Sequence, residues 1–295
     1  GAGLNILNEA TGTFERHQAR PGMVNQFVSS LAIDKRSNLW IGTLGGISRY
    51  NTREDTYEVI FSDQTATRIN NVGCLLFDEA NSLWVGSRYG LYHLESSDGF
   101  MDDIQVTHFV HNDKDPNSIS GNYVISIHQD QQGTIWVGTY GQGINKMIRQ
   151  KQSVVFESFG TSDGLSNTVI YGIEEDAEGN LWLSTDYGLS RVNTETRVVR
   201  NYFKADGFLN NQYYWSAAHE NEDGKLYFGG MNGMDGFYPE WIHQDQKGSG
   251  VTITDIKLLN ESVVPGKKYN DVEVLNESVY NATALNLSYE EKVLG

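Results

Sequence analysis

The chain alternates between short apolar stretches of strand length and polar, glycine-containing turns, and one such stretch recurs. LWIGTLGGI at 39–47, LWVGSRYGL at 83–91, IWVGTYGQGI at 135–144, LWLSTDYGL at 181–189 and LYFGGMNGM at 226–234 each join an aromatic anchor to small residues and a turn. The anchors Trp40, Trp84, Trp136, Trp182 and Tyr227 are separated by 44, 52, 46 and 45 residues, within or near the period of propeller blades. Six residues before each anchor stands Asp34, Asp78, Asp130, Asp176 or Asn221, and six before those stand Val28, Val72, Val124, Ile170 and Trp215. The register reads as unbroken across that half-repeat.

Each unit predicts a four-stranded antiparallel blade, with a first strand ending at the Asp or Asn, an aromatic-anchored second strand and two outer strands. Four residues before each Asp or Asn come Ser30, Cys74, Ser126, Gly172 and Ala217, all small, as innermost strands crowding round an axis require. Their neighbours Leu31, Leu75, Ile127, Ile173 and Ala218 point to the opposite face, so the first strand is expected to pack on both sides. The acidic turns DKRSN, DEANS, DQQGT, DAEGN and NEDGK offer too few carboxylates for the roughly six to eight oxygens of a calcium shell. They read instead as Asx side chains closing their own turns, and no metal or other cofactor is expected.

Composition narrows the function. The 295 residues carry 38 Asp and Glu against 22 Lys and Arg, a net charge of −16 that repels phosphate backbones and anionic lipid, so neither nucleic acid nor direct membrane contact is expected. With 16 Tyr, 12 Phe and 6 Trp the chain is too aromatic for disorder. The longest apolar runs, such as CLLF at 74–77, are far shorter than a membrane span. A lone Cys74 excludes a disulfide scaffold. Phosphate loops and zinc-protease helices are absent from the sequence.

The unit V-x-S-I-x-x-D-x-x-G-x-L-W-I-G-T-x-x-G-L resembles the two-component-regulator propeller repeat over about residues 1–240. Departures are Ser184 for Gly, Gly230 for Thr, Tyr227 for Trp and an extra residue at Gln142. The resemblance implies the extracytoplasmic, periplasmic sensor region of a bacterial hybrid histidine kinase, homodimeric in its parent receptor, with a parent ring of seven blades. The expectation is therefore an all-β chain with a partial β-propeller at 1–247 and the N-terminal part of a β-sandwich at 248–295, where VTITDIKLLN and LNLSYEE resemble its opening strands. Gly3 to His17 resembles the last two strands of a further blade, so both ends read as truncated. The expected fold is five blades plus half a blade.

In such a ring the turns between second and third strands share a rim with the segments entering the first strands. That rim offers Arg88, Tyr89, Tyr140, Gln142, Asp186 and Tyr187, and the NNQYYW segment at 210–215 adds Tyr213 and Tyr214. Aromatic faces beside amides and charges suit an oligosaccharide or another small ligand. The function expected is ligand sensing without catalysis; the alternatives are a propeller glycoside hydrolase or polysaccharide lyase, and a protein-interaction scaffold. His128, Glu174 and His219 share one register position in successive first strands, an arrangement that metals accept, but strand ends beside a wet channel also hold polar groups freely.

Overall fold

The six-residue spacing between acid and aromatic is a hydrogen-bonding device. In the first blade Asp34 Oδ1 accepts the amides of Arg36 and Asn38, both at 2.9 Å, while Oδ2 accepts the Trp40 indole N–H at 3.0 Å. Asp78, Asp130 and Asp176 accept the indoles of Trp84, Trp136 and Trp182 at 3.0, 2.8 and 2.9 Å in the same way. All four pairs are buried. One carboxylate thus closes the turn between the first two strands and seats the indole between neighbouring blades, leaving no buried N–H unpaired.

The computed structural model describes residues 3–18, 20–97, 103–151, 153–242, 256–258, 261–269, 272–276 and 284–286. Two strands, β1 (Leu4–Asn8) and β2 (Thr13–His17), pair as the expected half-blade. The first blade is β3 (Val28–Ile33), β4 (Leu39–Thr43), β5 (Gly46–Asn51) and β6 (Thr56–Ser62). The second is β7 (Val72–Phe77), β8 (Leu83–Ser87), β9 (Gly90–Ser96) and β10 (Ile104–Phe109). The third is β11 (Val124–Gln129), β12 (Ile135–Thr139), β13 (Ile144–Arg149) and β14 (Val154–Phe159). The fourth is β15 (Ile170–Glu175), β16 (Asn180–Thr185), β17 (Leu189–Asn193) and β18 (Val199–Tyr202). Each is one antiparallel sheet in chain order. The fifth blade has three strands among the described residues, β19 (Tyr213–Glu220), β20 (Leu226–Gly230) and β21 (Gly233–Phe237).

Hydrophobic cores form between blades adjacent in sequence. The Trp40 core joins the first blade to the second, the Trp136 core the third to the fourth, and the Trp182 core the fourth to the fifth. Inner strands β7, β11 and β15 are largely buried on both faces, as expected. In β3 that expectation fails: Leu31 and Ile33 are 47% and 65% exposed, because the half-blade brings no inner strand to cover them.

Close approach of the inner strands explains the small residues. A Cβ on Gly138 overlaps Ser126 Oγ, its cross-strand partner, and lies 2.9 Å from Ile170 of the next blade. Where Ser184 replaces that glycine, its partner across the ladder is Gly172, whose own added Cβ lies 3.0 Å from Ser184 Oγ. One member of each pair gives up its side chain.

The chain divides into compact units Gly1–Ile242 and His243–Gly295. In the second, Lys257–Leu258 pairs with Glu261–Ser262 and Lys268–Tyr269 with Val272–Glu273 (β22 to β25), beside a small core of Ile256, Leu258, Val263, Val274 and Leu275. Most of VTITDIKLLN and of LNLSYEE lies outside the described residues.

Asp130→Ala is expected to destabilise by about 2–4 kcal/mol, since it strands the Trp136 indole and uncaps a turn. Asp130→Asn, which keeps one acceptor, falls between it and the parent. Gly138→Ala is expected to lose about 1–3 kcal/mol through overpacking, with Ser126→Gly relieving part of it. Urea unfolding midpoints measure all four variants.

Candidate functional site

In the first four blades the rim hairpin is held by the last residue of the second strand. Thr185 Oγ1 donates to the Gly188 carbonyl at 2.8 Å and accepts the Tyr187 amide at 3.0 Å, and Thr139 does the same for Gly143 and Gln142. The extra residue in the third blade lengthens its hairpin, whose Gly141 and Gly143 amides donate to the Thr168 carbonyl of the segment entering the fourth. Tyr140 is held at this hairpin, its amide bonded to the Tyr123 carbonyl at 2.8 Å.

The fifth blade departs from the repeat. In β3 the interval from Val28, opposite Thr43, to Leu31, opposite Ile41, takes three residues; in β19 the matching interval from Tyr213, opposite Gly230, to Ala218, opposite Phe228, takes five. The register is therefore broken by two extra residues, with Ser216 at φ 49°. Tyr213, not Trp215, fills the place of Val28. It is fully buried and its hydroxyl donates to Asp235 at 3.0 Å, so it shapes the blade and presents no ring to a ligand.

The extra residues carry Trp215 across the fourth blade. Its ring stacks on Tyr140 at 5.5 Å between centroids and meets Tyr123 at 5.7 Å and Tyr171 at 6.0 Å. The Arg88 guanidinium lies 5.6 Å over the Tyr123 ring. Asp186 accepts the Tyr171 hydroxyl at 3.1 Å and the Gln212 amide at 2.8 Å. Burial and the Asp186 bond push the Tyr171 hydroxyl up, and burial pushes up Tyr123, so both stay protonated donors. Four blades thus supply one aromatic surface flanked by a cation and an anion.

Of the rim residues expected from sequence, Arg88, Tyr140 and Asp186 meet in this cluster, and Tyr214 is 58% exposed close enough to act on the Tyr171 hydroxyl. The other four have different partners: Tyr213 is in the core. Tyr187 packs on Phe203, the Tyr89 carbonyl is bonded to His108, and the Gln142 carbonyl accepts from Ser120. Tyr171 was not singled out by the repeat, and Trp215 was assigned the register position of Val28; each occupies an inner-strand bulge, where the side chain turns out of the pleat.

At the opposite end of the inner strands, His128 is mostly buried and burial lowers its pKa, with Nε2 3.9 Å from Glu175. His219 is exposed. Among the described residues no three His, Cys, Asp or Glu side chains are grouped closely enough to hold a metal ion. Burial, reinforced by Glu220, pushes the Glu174 carboxyl up to about 7. No helix among the described residues is long and apolar enough to cross a membrane.

Residues 22–45, 118–141 and 164–187 match the two component regulator propeller family, each covering an entering segment, first strand and second strand. Histidine kinase P4 of Formosa agariphila is 28% identical over 269 residues, 88% of this chain and 19% of the kinase. The extracellular domain assigned to the hybrid two component system BT3049 of B. thetaiotaomicron superposes with a TM-score of 0.50 at 23% identity, over 92% of this chain and 41% of that one. PorZ, a surface component of the type-IX secretion system of Porphyromonas gingivalis, superposes with a TM-score of 0.62 at 16% identity, over 81% of this chain and 36% of its own. The chain spans about a fifth of the kinase's length.

Folded Glu174 binds its proton up to about pH 7 while an unfolded glutamate releases it near 4.5, so stability is expected to fall as pH rises across that window. Glu174→Gln removes the penalty. Its melting temperature is expected to exceed the parent's at pH 8 and to match it at pH 4; a constant difference at both pH values contradicts the assignment.

Proposed function

We propose that this chain, built of two-component-regulator propeller repeats, is part of the periplasmic ligand-sensing region of a membrane-bound histidine kinase, and that it binds an oligosaccharide at its rim without turning it over. The observation that carries the reading is the Tyr123, Tyr140, Tyr171 and Trp215 cluster, with Arg88 and Asp186 beside it. Sugar rings stack their apolar faces on such surfaces, and the flanking charged and amide groups bond hydroxyls. The kinase relative supports the setting, as does the hybrid-system extracellular domain.

Contacts from the second to the fifth blade mean that a ligand here favours one arrangement of those blades over another. Signalling is then a shift of population between arrangements, passed through the following unit to a homodimeric parent.

Calorimetry against a panel of plant and host oligosaccharides tests the reading. One glycan is expected to bind, with Trp215→Ala weakening it about tenfold or more, a loss of at least about 1.4 kcal/mol, and Tyr187→Ala leaving it unchanged. Released reducing ends would make the site an enzyme's. Silence across the panel would favour a scaffold.

A further inference from the structure

Across the ladder from three of the four anchor tryptophans stands a cation. Arg49 lies over Trp40 at 5.7 Å, Lys146 over Trp136 at 5.4 Å and Arg191 over Trp182 at 5.6 Å. Such stacking is favourable and lets a long side chain cover the indole. The second blade breaks the series. There the position is His93, stacked on Trp84 at 4.1 Å with 22° between planes.

His93 is 9% exposed, and its Nε2 is enclosed without a hydrogen-bond partner. Burial lowers its pKa, so the imidazole is neutral at physiological pH. Beside the ring lies a cavity of about 420 Å³ between the second and third blades, with Trp84 and Phe109 among its walls and Glu95, Thr107 and Arg149 on its lining. That volume falls in the range of small-ligand sites. A shorter side chain has replaced the long cation that covers the indole elsewhere.

The charges say what fits. Glu95 and Arg149 are both exposed, both act electrostatically on His93, and among the described residues neither is in a salt bridge. They belong to different blades and carry opposite signs on one cavity. We infer that this inter-blade cavity is a second ligand site, separate from the rim, and that it takes a small zwitterion of the amino-acid class. Arg149 receives the carboxylate and Glu95 the ammonium, and the apolar side chain lies toward Phe109. Arginine suits the carboxylate because its planar fork pairs with both oxygens.

Calorimetry of the 295-residue chain with L-phenylalanine, L-leucine and glycine, beside phenethylamine and 3-phenylpropionate, tests the site. Saturable binding of an apolar amino acid is expected, with each single-charge analogue weaker by about tenfold or more. Arg149→Gln and Glu95→Gln, both at exposed positions, are each expected to weaken it similarly. His93→Arg restores the cation found in three other blades, so it is expected to keep the melting temperature and abolish binding, while Trp215→Ala at the rim leaves it intact. Absence of saturable heat at millimolar amino acid, equal binding of the single-charge analogues, or retained binding in His93→Arg overturns the proposal.

Discussion

The structure depends on a carboxylate shared between a turn and an indole. Asp34, Asp78, Asp130 and Asp176 are buried, and a buried carboxylate is costly unless its lone pairs are used. Here one oxygen serves two backbone amides and the other an indole N–H. Removing either element leaves the other's polar groups stranded, so turn and tryptophan are held as a unit. The fifth blade shows the dependence from the other side. Asn221 still caps its turn through the amides of Asp223 and Lys225, but Tyr227 has no indole to return the bond and is only partly buried. This is also the blade with the broken register.

Crowding near the axis imposes the second constraint, and it acts on pairs of residues. Ser30 faces Gly42, Cys74 faces Gly86 and Ser126 faces Gly138, with the side chain always on the first strand. In the fourth blade the order reverses, and Gly172 faces Ser184. Read as a departure at one position, Ser184 looks like a lapse from the repeat. Read across the ladder, the pair keeps the same total bulk. The small hydroxyls also join blades, since Ser126 Oγ donates to the Ile170 carbonyl at 2.7 Å and Ser30 Oγ accepts the Leu75 amide at 2.9 Å.

Blade number, strand order, the Asx turns and the half-blade at Leu4–His17 were all legible, because each rests on a spacing that repeats. What stayed hidden was local. The bulges that turn Tyr171 and Trp215 inward depend on backbone pairing, which periodicity does not report. The two residues added in β19 were masked because the aromatic run NNQYYW places a large apolar residue at either register. That ambiguity put Tyr213 on the rim, although it replaces a core valine. The cations over the indoles were equally invisible, since Arg49, Lys146 and Arg191 meet their tryptophans only through cross-strand pairing.

A stack of blades joined only to their neighbours has no direct route from one face of the ring to a distant blade. The Trp40, Trp84 and Trp136 cores respect that limit, each joining blades adjacent in sequence. Trp215 does not: a residue of the fifth blade stacks on Tyr140 of the third, over the top of the fourth. Any tilt of the fifth blade against the fourth must therefore either carry Tyr140 with it or open the stack. Aromatic contacts of this kind are worth about 0.5–1.5 kcal/mol, small beside the cores yet comparable with the coupling free energies that separate functional states. A ligand that completes or wedges this stack acts where a modest energy reaches three blades at once. The same sum spent between two adjacent blades would reach only those two.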